Sequence, residues 1–276
     1  MPQAWQNIPD HLNPIAFRLG PVEIFWYGIM YLVAFAIVYY LVRYRIRTEK
    51  MGISFETVQD FFPWAIVGLL LGARLGDVFI YDWSYFSKHP LEIFLPFDIY
   101  NHWQYIGIYG MSYFGGLVGL AIALYLFCKI KKINLLEFSD LFSPAVPLAF
   151  TFGRLGNFIN GELYGRITNK FWGMYFPADF SGQLRHPSQL YEALLEGILL
   201  FAILWNLRKK NYPAGYLTAF YLIGYGIARF TGEFFREPDK SWFFNPKMLS
   251  SGQVFSLLLI FAALFLLILK RSKRRA

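Results

Sequence analysis

Long apolar stretches recur along the chain, separated by shorter segments where Lys, Arg, Pro and Gly collect. A helix needs about 20 predominantly apolar residues to cross a bilayer. Seven stretches meet that pattern, at about 22–42, 61–81, 106–127, 141–159, 190–207, 216–235 and 254–269. The first (VEIFWYGIMYLVAFAIVYYLV) and the last (VFSLLLIFAALFLLIL) carry it most strongly, and three of the others each hold one arginine: Arg74, Arg154 and Arg229. The N-terminus lacks a basic region followed by an apolar core and a small-residue cleavage site, so the first stretch is expected to remain as an anchor. The pattern predicts an all-α polytopic membrane protein of about seven transmembrane helices, forming one membrane domain over residues 1–276.

The basic residues orient these spans. Arg43, Arg45, Arg47 and Lys50 follow the first; Lys129, Lys131 and Lys132 the third; Arg208, Lys209 and Lys210 the fifth; Lys270, Arg271, Lys273, Arg274 and Arg275 the last. The opposite side has fewer, despite longer loops: Arg18, Lys88, Arg166, Lys170, Arg185, Arg236, Lys240 and Lys247. Cytoplasmic loops carry the Lys/Arg excess, so the N-terminus is expected outside and the C-terminus in the cytoplasm. Two long outer loops, about 82–105 and 160–189, are rich in Trp, Tyr and Phe, which favour the membrane interface; they read as partly folded extracytoplasmic caps.

Composition agrees. The chain is 56% hydrophobic and 16% charged, where soluble domains average about 45–50% and about 25%. The net charge of +8 is accounted for by juxtamembrane runs that hold topology and meet anionic lipid headgroups, so no nucleic-acid partner is expected. A lone cysteine, Cys128, excludes an internal disulfide, and His11, His89, His102 and His186 are too scattered for a metal cluster.

Charges within the spans are costly and mark function by default. Arg74, Arg154 and Arg229, joined by Glu162, Glu233 and Arg236 near the outer ends, are an unusual concentration. Paired charges can staple helices; arginines facing one cavity would instead hold an anion, since guanidinium matches phosphate bidentately. The anion at hand at that depth is a phospholipid headgroup. The densest segment is GRLGNFINGELYG, Gly153–Gly165, where Arg154 and Asn157 share a face at the i, i+3 spacing if helical.

This segment, with WYGIMYLV (Trp26–Val33), LGARLG (Leu71–Gly76), GMSYFGGLVG (Gly110–Gly119), RHPSQLYEALLEG (Arg185–Gly197), IGYGIARF (Ile223–Phe230), EFFREPD (Glu233–Asp239) and SSGQVFSLLL (Ser250–Leu259), resembles the phosphatidylglycerol–prolipoprotein diacylglyceryl transferases of bacteria over nearly the whole chain. The resemblance implies an enzyme of the cytoplasmic membrane, with no cofactor. It would move the diacylglyceryl group of phosphatidylglycerol to the thiol of a lipobox cysteine in a prolipoprotein, forming a thioether and releasing glycerol phosphate. The reacting thiol then belongs to the substrate, and Cys128 is a bystander. Arg154 matches the family's lipid-binding arginine, Arg229 another essential arginine, and Arg236 is a third candidate. Asn157, Glu162 and Gly165 match signature positions, and Tyr27 and Tyr225 match tyrosines facing the site, although packing would also explain these two.

One departure concerns the proton. The family commonly has histidine where this chain has Phe25 and Phe114, and Phe accepts no proton. Three explanations stay open. The base is another group, with Glu162, Glu233 or Tyr113 as candidates and His186 as a substitute; the arginines lower the thiol's pKa enough; or the chain is an impaired homologue that binds phosphatidylglycerol without turnover. A second departure, Asp77, puts an acidic neighbour near Arg74.

Overall fold

The computed structural model describes residues 4–20, 22–49, 51–95, 97–98, 104–105, 110–237 and 249–272. Lys50, His102, residues 106–109 of the third apolar stretch, Asp239, Lys240, Lys247, residues 273–275 and the side chain of Tyr113 lie outside the described set.

The chain is mostly helical. Its long helices are α1 (Trp26–Glu49), α2 (Phe55–Ile80), α3 (Tyr113–Lys131), α4 (Leu135–Phe142), α5 (Val146–Ile159), α6 (Ser188–Leu207), α7 (Tyr216–Gly232) and α8 (Ser251–Ser272). Among the described residues, α1, α2, α3, α6 and α8 are long and apolar enough to cross a membrane, and the pair α4–α5, bent by 52°, makes a sixth if taken as one broken span. The stretch at 216–235 is helical, but α7 has 17 residues and rises about 26 Å, short of the roughly 30 Å of hydrocarbon.

Both boundaries of the first span differ from the sequence reading. The first helix begins at Trp26 rather than Val22, because Val22–Phe25 (β2) pairs antiparallel with Ile15–Leu19 (β1) in a hairpin whose backbone groups are met across the ladder. It also runs on to Glu49, so Arg43, Arg45 and Arg47 ride the end of the helix and not a loop.

The chain divides into two compact units, Met51–Phe138 and Met1–Lys50 with Ser139–Ala276. In the first, α2 and α3 pack through small residues. Gly68, Gly72 and Gly76 face Gly115, Gly119 and Ala123, and a Cβ on Gly72 would lie 2.7 Å from the Gly119 Cα. Interfaces of small residues let membrane helices approach closely when no hydrophobic effect drives them together. Ser112 starts α3 by accepting the Gly115 N–H at 3.2 Å. Along this pair lies an apolar groove of about 860 Å³, lined by Trp64, Leu71, Leu75, Phe79, Phe114 and Val118 among others.

In the second unit α1 packs on α5, α5 on α6, and α7 on α8. The loop 160–189 is an ordered cap. Short antiparallel bridges join Ile167 and Met174 to Arg185, and Arg185 clamps Asp179 at 2.6 and 3.1 Å. That guanidinium holds the Asp179 carboxyl well below the usual carboxylate range, at about 2. Phe158, Met174 and Phe176 form a small core beneath the cap, with Trp5, Leu12 and Tyr164 against it. The N-terminal segment is stitched on by Tyr175 N–H donating to the Gln6 carbonyl at 2.8 Å.

Candidate functional site

The signature segment lies where α5 ends and the cap begins. Its helix stops at Ile159, the chain turns through Gly161 (φ +68°), and Leu163 takes the left-handed conformation at φ +56°. That conformation is uncommon for a residue with a Cβ, and neighbours hold it in place. Ser188 Oγ donates to the Leu163 carbonyl at 2.9 Å and Gln189 Nε2 to the Glu162 carbonyl at 2.6 Å. Gly165 follows, donating its N–H to the His186 carbonyl at 2.8 Å and bridging to Arg236. A Cβ there would run into the Phe235 carbonyl and lie 2.7 Å from His186 Cβ, so only glycine fits.

Three arginines converge beneath this loop. Arg154 of α5 reaches Glu192 at 2.8 Å, Arg229 of α7 reaches the same carboxylate at 2.9 Å, and Arg236, just past α7, lies 3.5 Å from it. Arg229 also pairs with Glu233 and stands 3.8 Å from Glu196, while Arg236 is 4.0 Å from Glu233. Glu233 in turn accepts from the Ser250 hydroxyl at 2.8 Å. On the other side of Arg154, Asn157 accepts from its guanidinium at 3.4 Å and donates to Glu162 at 2.8 Å. The structure thus brings together Arg154, Asn157, Glu162, Arg229, Glu233 and Arg236, with Gly165 in the loop above.

The two tyrosines differ. Tyr27 stands beside the signature helix, since a Cβ on Gly156 would lie 3.0 Å from its ring, and its hydroxyl shares a 3.0 Å hydrogen bond with Tyr31. Tyr225 is buried with Leu200 and Leu204 and meets Phe150 edge-on at 5.7 Å. His186 bonds through Nδ1 to the Tyr191 hydroxyl at 3.1 Å and lies edge-on to Phe235. Burial, with a smaller contribution from Lys170, pushes its pKa below the usual histidine range. Arg74 belongs to the other unit, where it donates to the carbonyls of Glu92 and Ile93, both at 2.7 Å, lies over the Phe86 ring, and is 3.8 Å from Asp77. Phe114 lines the apolar groove of that same unit.

Two residues at the centre of the cluster escaped the sequence reading: Glu192 and Glu196. Both lie in the RHPSQLYEALLEG block and are almost wholly buried, at 1% and 0% exposed. Their signal was present, since they are two carboxylates inside an apolar run, opposite arginines that needed counterions. A local π-helical turn at Ala193–Leu199 begins just after Glu192 and holds Glu196, a feature often found at functional sites.

Comparison with known proteins shows the family. A family model described as "Prolipoprotein diacylglyceryl transferase" matches residues 14–269. The chain belongs to this family. It is 50% identical to the phosphatidylglycerol–prolipoprotein diacylglyceryl transferase of Chlorobaculum tepidum, over 99% of this chain and 94% of that protein. It is 45% identical to the enzyme of that name from Campylobacter lari, over 95% of each. The one from Bordetella avium is 44% identical over 95% of this chain and 97% of its own length.

Proposed function

We propose that this chain is a phosphatidylglycerol–prolipoprotein diacylglyceryl transferase. The substrate thiol attacks the glyceryl carbon bonded to the phosphate oxygen. A C–S bond forms, the C–O bond breaks with its electron pair going to the phosphate, and glycerol phosphate leaves. The observation that carries the reading is the convergence of Arg154, Arg229 and Arg236 under the signature loop, in a chain of this family.

The residue roles follow from that geometry. Arg154, steadied by Asn157, holds the phosphate, and Arg229 with Arg236 stabilises charge on the leaving group, the kind of prearranged electrostatics that dominates many enzymes. Glu162 is the best-placed proton acceptor, because it is partly exposed while Glu233 is buried and engaged by Arg229 and Ser250. Gly165 keeps the loop closed over the cluster, Tyr27 borders it, and Tyr225 supports Arg154 and Arg229 from the core. The enzyme works in the bacterial cytoplasmic membrane as one membrane domain of about seven spans, counting the bent pair α4–α5 as one and α7, with 17 residues, at the short end of the spanning range of about 17–25. Its N-terminus is outside, its C-terminus is cytoplasmic, and its partners are phosphatidylglycerol, the lipobox cysteine of a prolipoprotein and the surrounding lipids.

The test is transfer from phosphatidylglycerol to a lipobox-cysteine peptide by the purified chain, following thioether product and released glycerol phosphate. Turnover supports the assignment; its absence from folded, membrane-inserted protein overturns it.

A further inference from the structure

The arginine cluster is already matched by carboxylates before any lipid arrives. Arg154, Arg229 and Arg236 face Glu192, Glu196 and Glu233, and Glu162 adds a further carboxylate across Asn157. A phosphodiester entering this site brings another negative charge into a place without bulk water. An uncompensated buried charge is costly, and a buried acid responds by taking a proton instead.

The carboxylates are not equally held. Glu192 is approached by all three arginines. Glu233 has Arg229, Arg236 and the Ser250 hydroxyl. Glu162 keeps Asn157 and partial access to solvent. Glu196 is 0% exposed, neither of its oxygens has a hydrogen-bond partner, and its ion pair, with Arg229, is a distant 3.8 Å. Glu196 is therefore the carboxylate whose charge is least compensated. The charged groups acting on it are Arg154 from α5, Arg229 from α7, Arg236 beyond α7, and Glu192 on its own helix; Glu233 and the Tyr225 phenol act on Arg229. A phosphate that draws the arginines, Arg229 among them, toward itself weakens the compensation of Glu196, whose one ion pair among the described residues is with Arg229.

We propose that Glu196 takes up a proton as the phosphate of phosphatidylglycerol binds the arginines, so that lipid affinity is tied to protonation of this buried carboxyl. The idea rests on the function proposed above and adds a charge-balancing residue to it. Linkage is reciprocal: if the lipid favours the protonated form, protonation favours the lipid by the same factor. Glu196 touches neither reacting atom; it acts through Arg229 and is a positioning residue.

The experiment titrates water-soluble dihexanoyl phosphatidylglycerol into the detergent-solubilised full chain by calorimetry. It is run in two buffers of different ionisation enthalpy and at several pH values above neutrality. The expected result is uptake of close to one proton per lipid, with Kd rising by up to about tenfold per pH unit once Glu196 is ionised in the free protein. In Glu196→Gln, whose amide cannot ionise, the dependence flattens to less than about twofold per unit, while Glu233→Gln keeps it. Binding by the unmodified chain without proton uptake overturns the proposal, and so does a slope removed by Glu233→Gln but kept by Glu196→Gln. The buffer comparison on the unmodified protein stands even if the Gln variant does not fold. A chain that fails in the transfer assay refutes the enzyme assignment, whereas one that turns over but binds lipid without a proton refutes only the role of Glu196.

Discussion

Two arginine networks occupy the two ends of α1 and are built on opposite principles. Near Glu49, Arg45 donates to the carbonyls of Asp140 and Leu141 at 2.7 and 2.6 Å and pairs with Glu49 at 2.8 Å, while Glu49 also receives Arg208 at 2.9 Å. Asp140 turns its carboxylate to the start of α7, accepting from the N–H groups of Gly215 and Thr218, each at 2.7 Å, and from the Thr218 hydroxyl at 2.6 Å. Near Tyr27, eighteen residues from Arg45 or about 27 Å along the helix, the Arg154 cluster is less complete. Arg154 Nε lies 2.8 Å from Glu192, yet neither atom makes a hydrogen bond, and both oxygens of Glu196 have none. A buried network with every group satisfied rigidifies a structure, whereas a partly satisfied one is energetically exposed. The first network is a clasp. The second is arranged for an arrival.

The largest effect expected from breaking this contrast is at Arg154. Arg154→Ala removes the headgroup ligand and leaves Glu192 short of a partner, so transfer should fall by about 10³-fold or more, given that one electrostatic donor alone can be worth about 10²–10³. The variant should still fractionate with the membrane. Well-expressed Arg154→Ala with near-normal turnover would mean the cluster is a second clasp and not a site.

Arg229→Lys comes next. Lysine keeps the charge but cannot present a planar fork to Glu192, Glu233 and a phosphate at once. A loss of about 10²-fold in kcat/KM is expected, mostly in kcat, because stabilisation of the leaving group is used in the transition state. Full turnover in this variant would make Arg229 a structural pairing residue only.

How far the sequence could carry these conclusions differs between the two networks. Arg154, Arg229 and Arg236 were readable because each is a charge in or beside an apolar run, and the helices were readable because apolar runs of spanning length have few other uses. The counterions were harder. Glu192 and Glu196 sit in an apolar stretch too, but which arginine meets which carboxylate depends on how α5, α6 and α7 pack. Asp140 was invisible for a different reason: a cap on a helix 75 residues away has no local signature. The start of the first helix was missed because Val22–Phe25, apolar but for Glu23, runs straight into the span, and only its pairing with Ile15–Leu19 makes it a strand.

The clasp supplies the complementary test. Asp140→Ala takes three hydrogen bonds from the start of α7, where loss of a capping side chain costs about 0.5–2 kcal/mol and unsatisfied buried N–H groups add to that. Thermal unfolding in detergent should move down by several degrees. Transfer per folded molecule should stay within about twofold, because the change acts on stability and not on transition-state binding. A selective loss of kcat with unchanged melting would mean that the two ends of the unit communicate, and the contrast between clasp and site would fail.

The smallest expected effect is at Phe114, where the family resemblance leads one to expect histidine. Phe114 faces a groove whose other lining residues, among them Leu71, Leu75, Phe79 and Val118, are apolar, so an imidazole placed there finds no carboxylate in that lining to orient it or raise its basicity. With the proton assigned to Glu162, Phe114→His should change transfer by less than about twofold, whereas a gained general base is worth about 10²–10⁴. The assay is the same thioether measurement, run on both proteins from one preparation. A rise of a hundredfold would show that Phe114 had disabled a base the chemistry needs and would move the proton away from Glu162. An unchanged rate leaves the phenylalanine as what the groove around it favours, an apolar wall on the face of the α2–α3 pair.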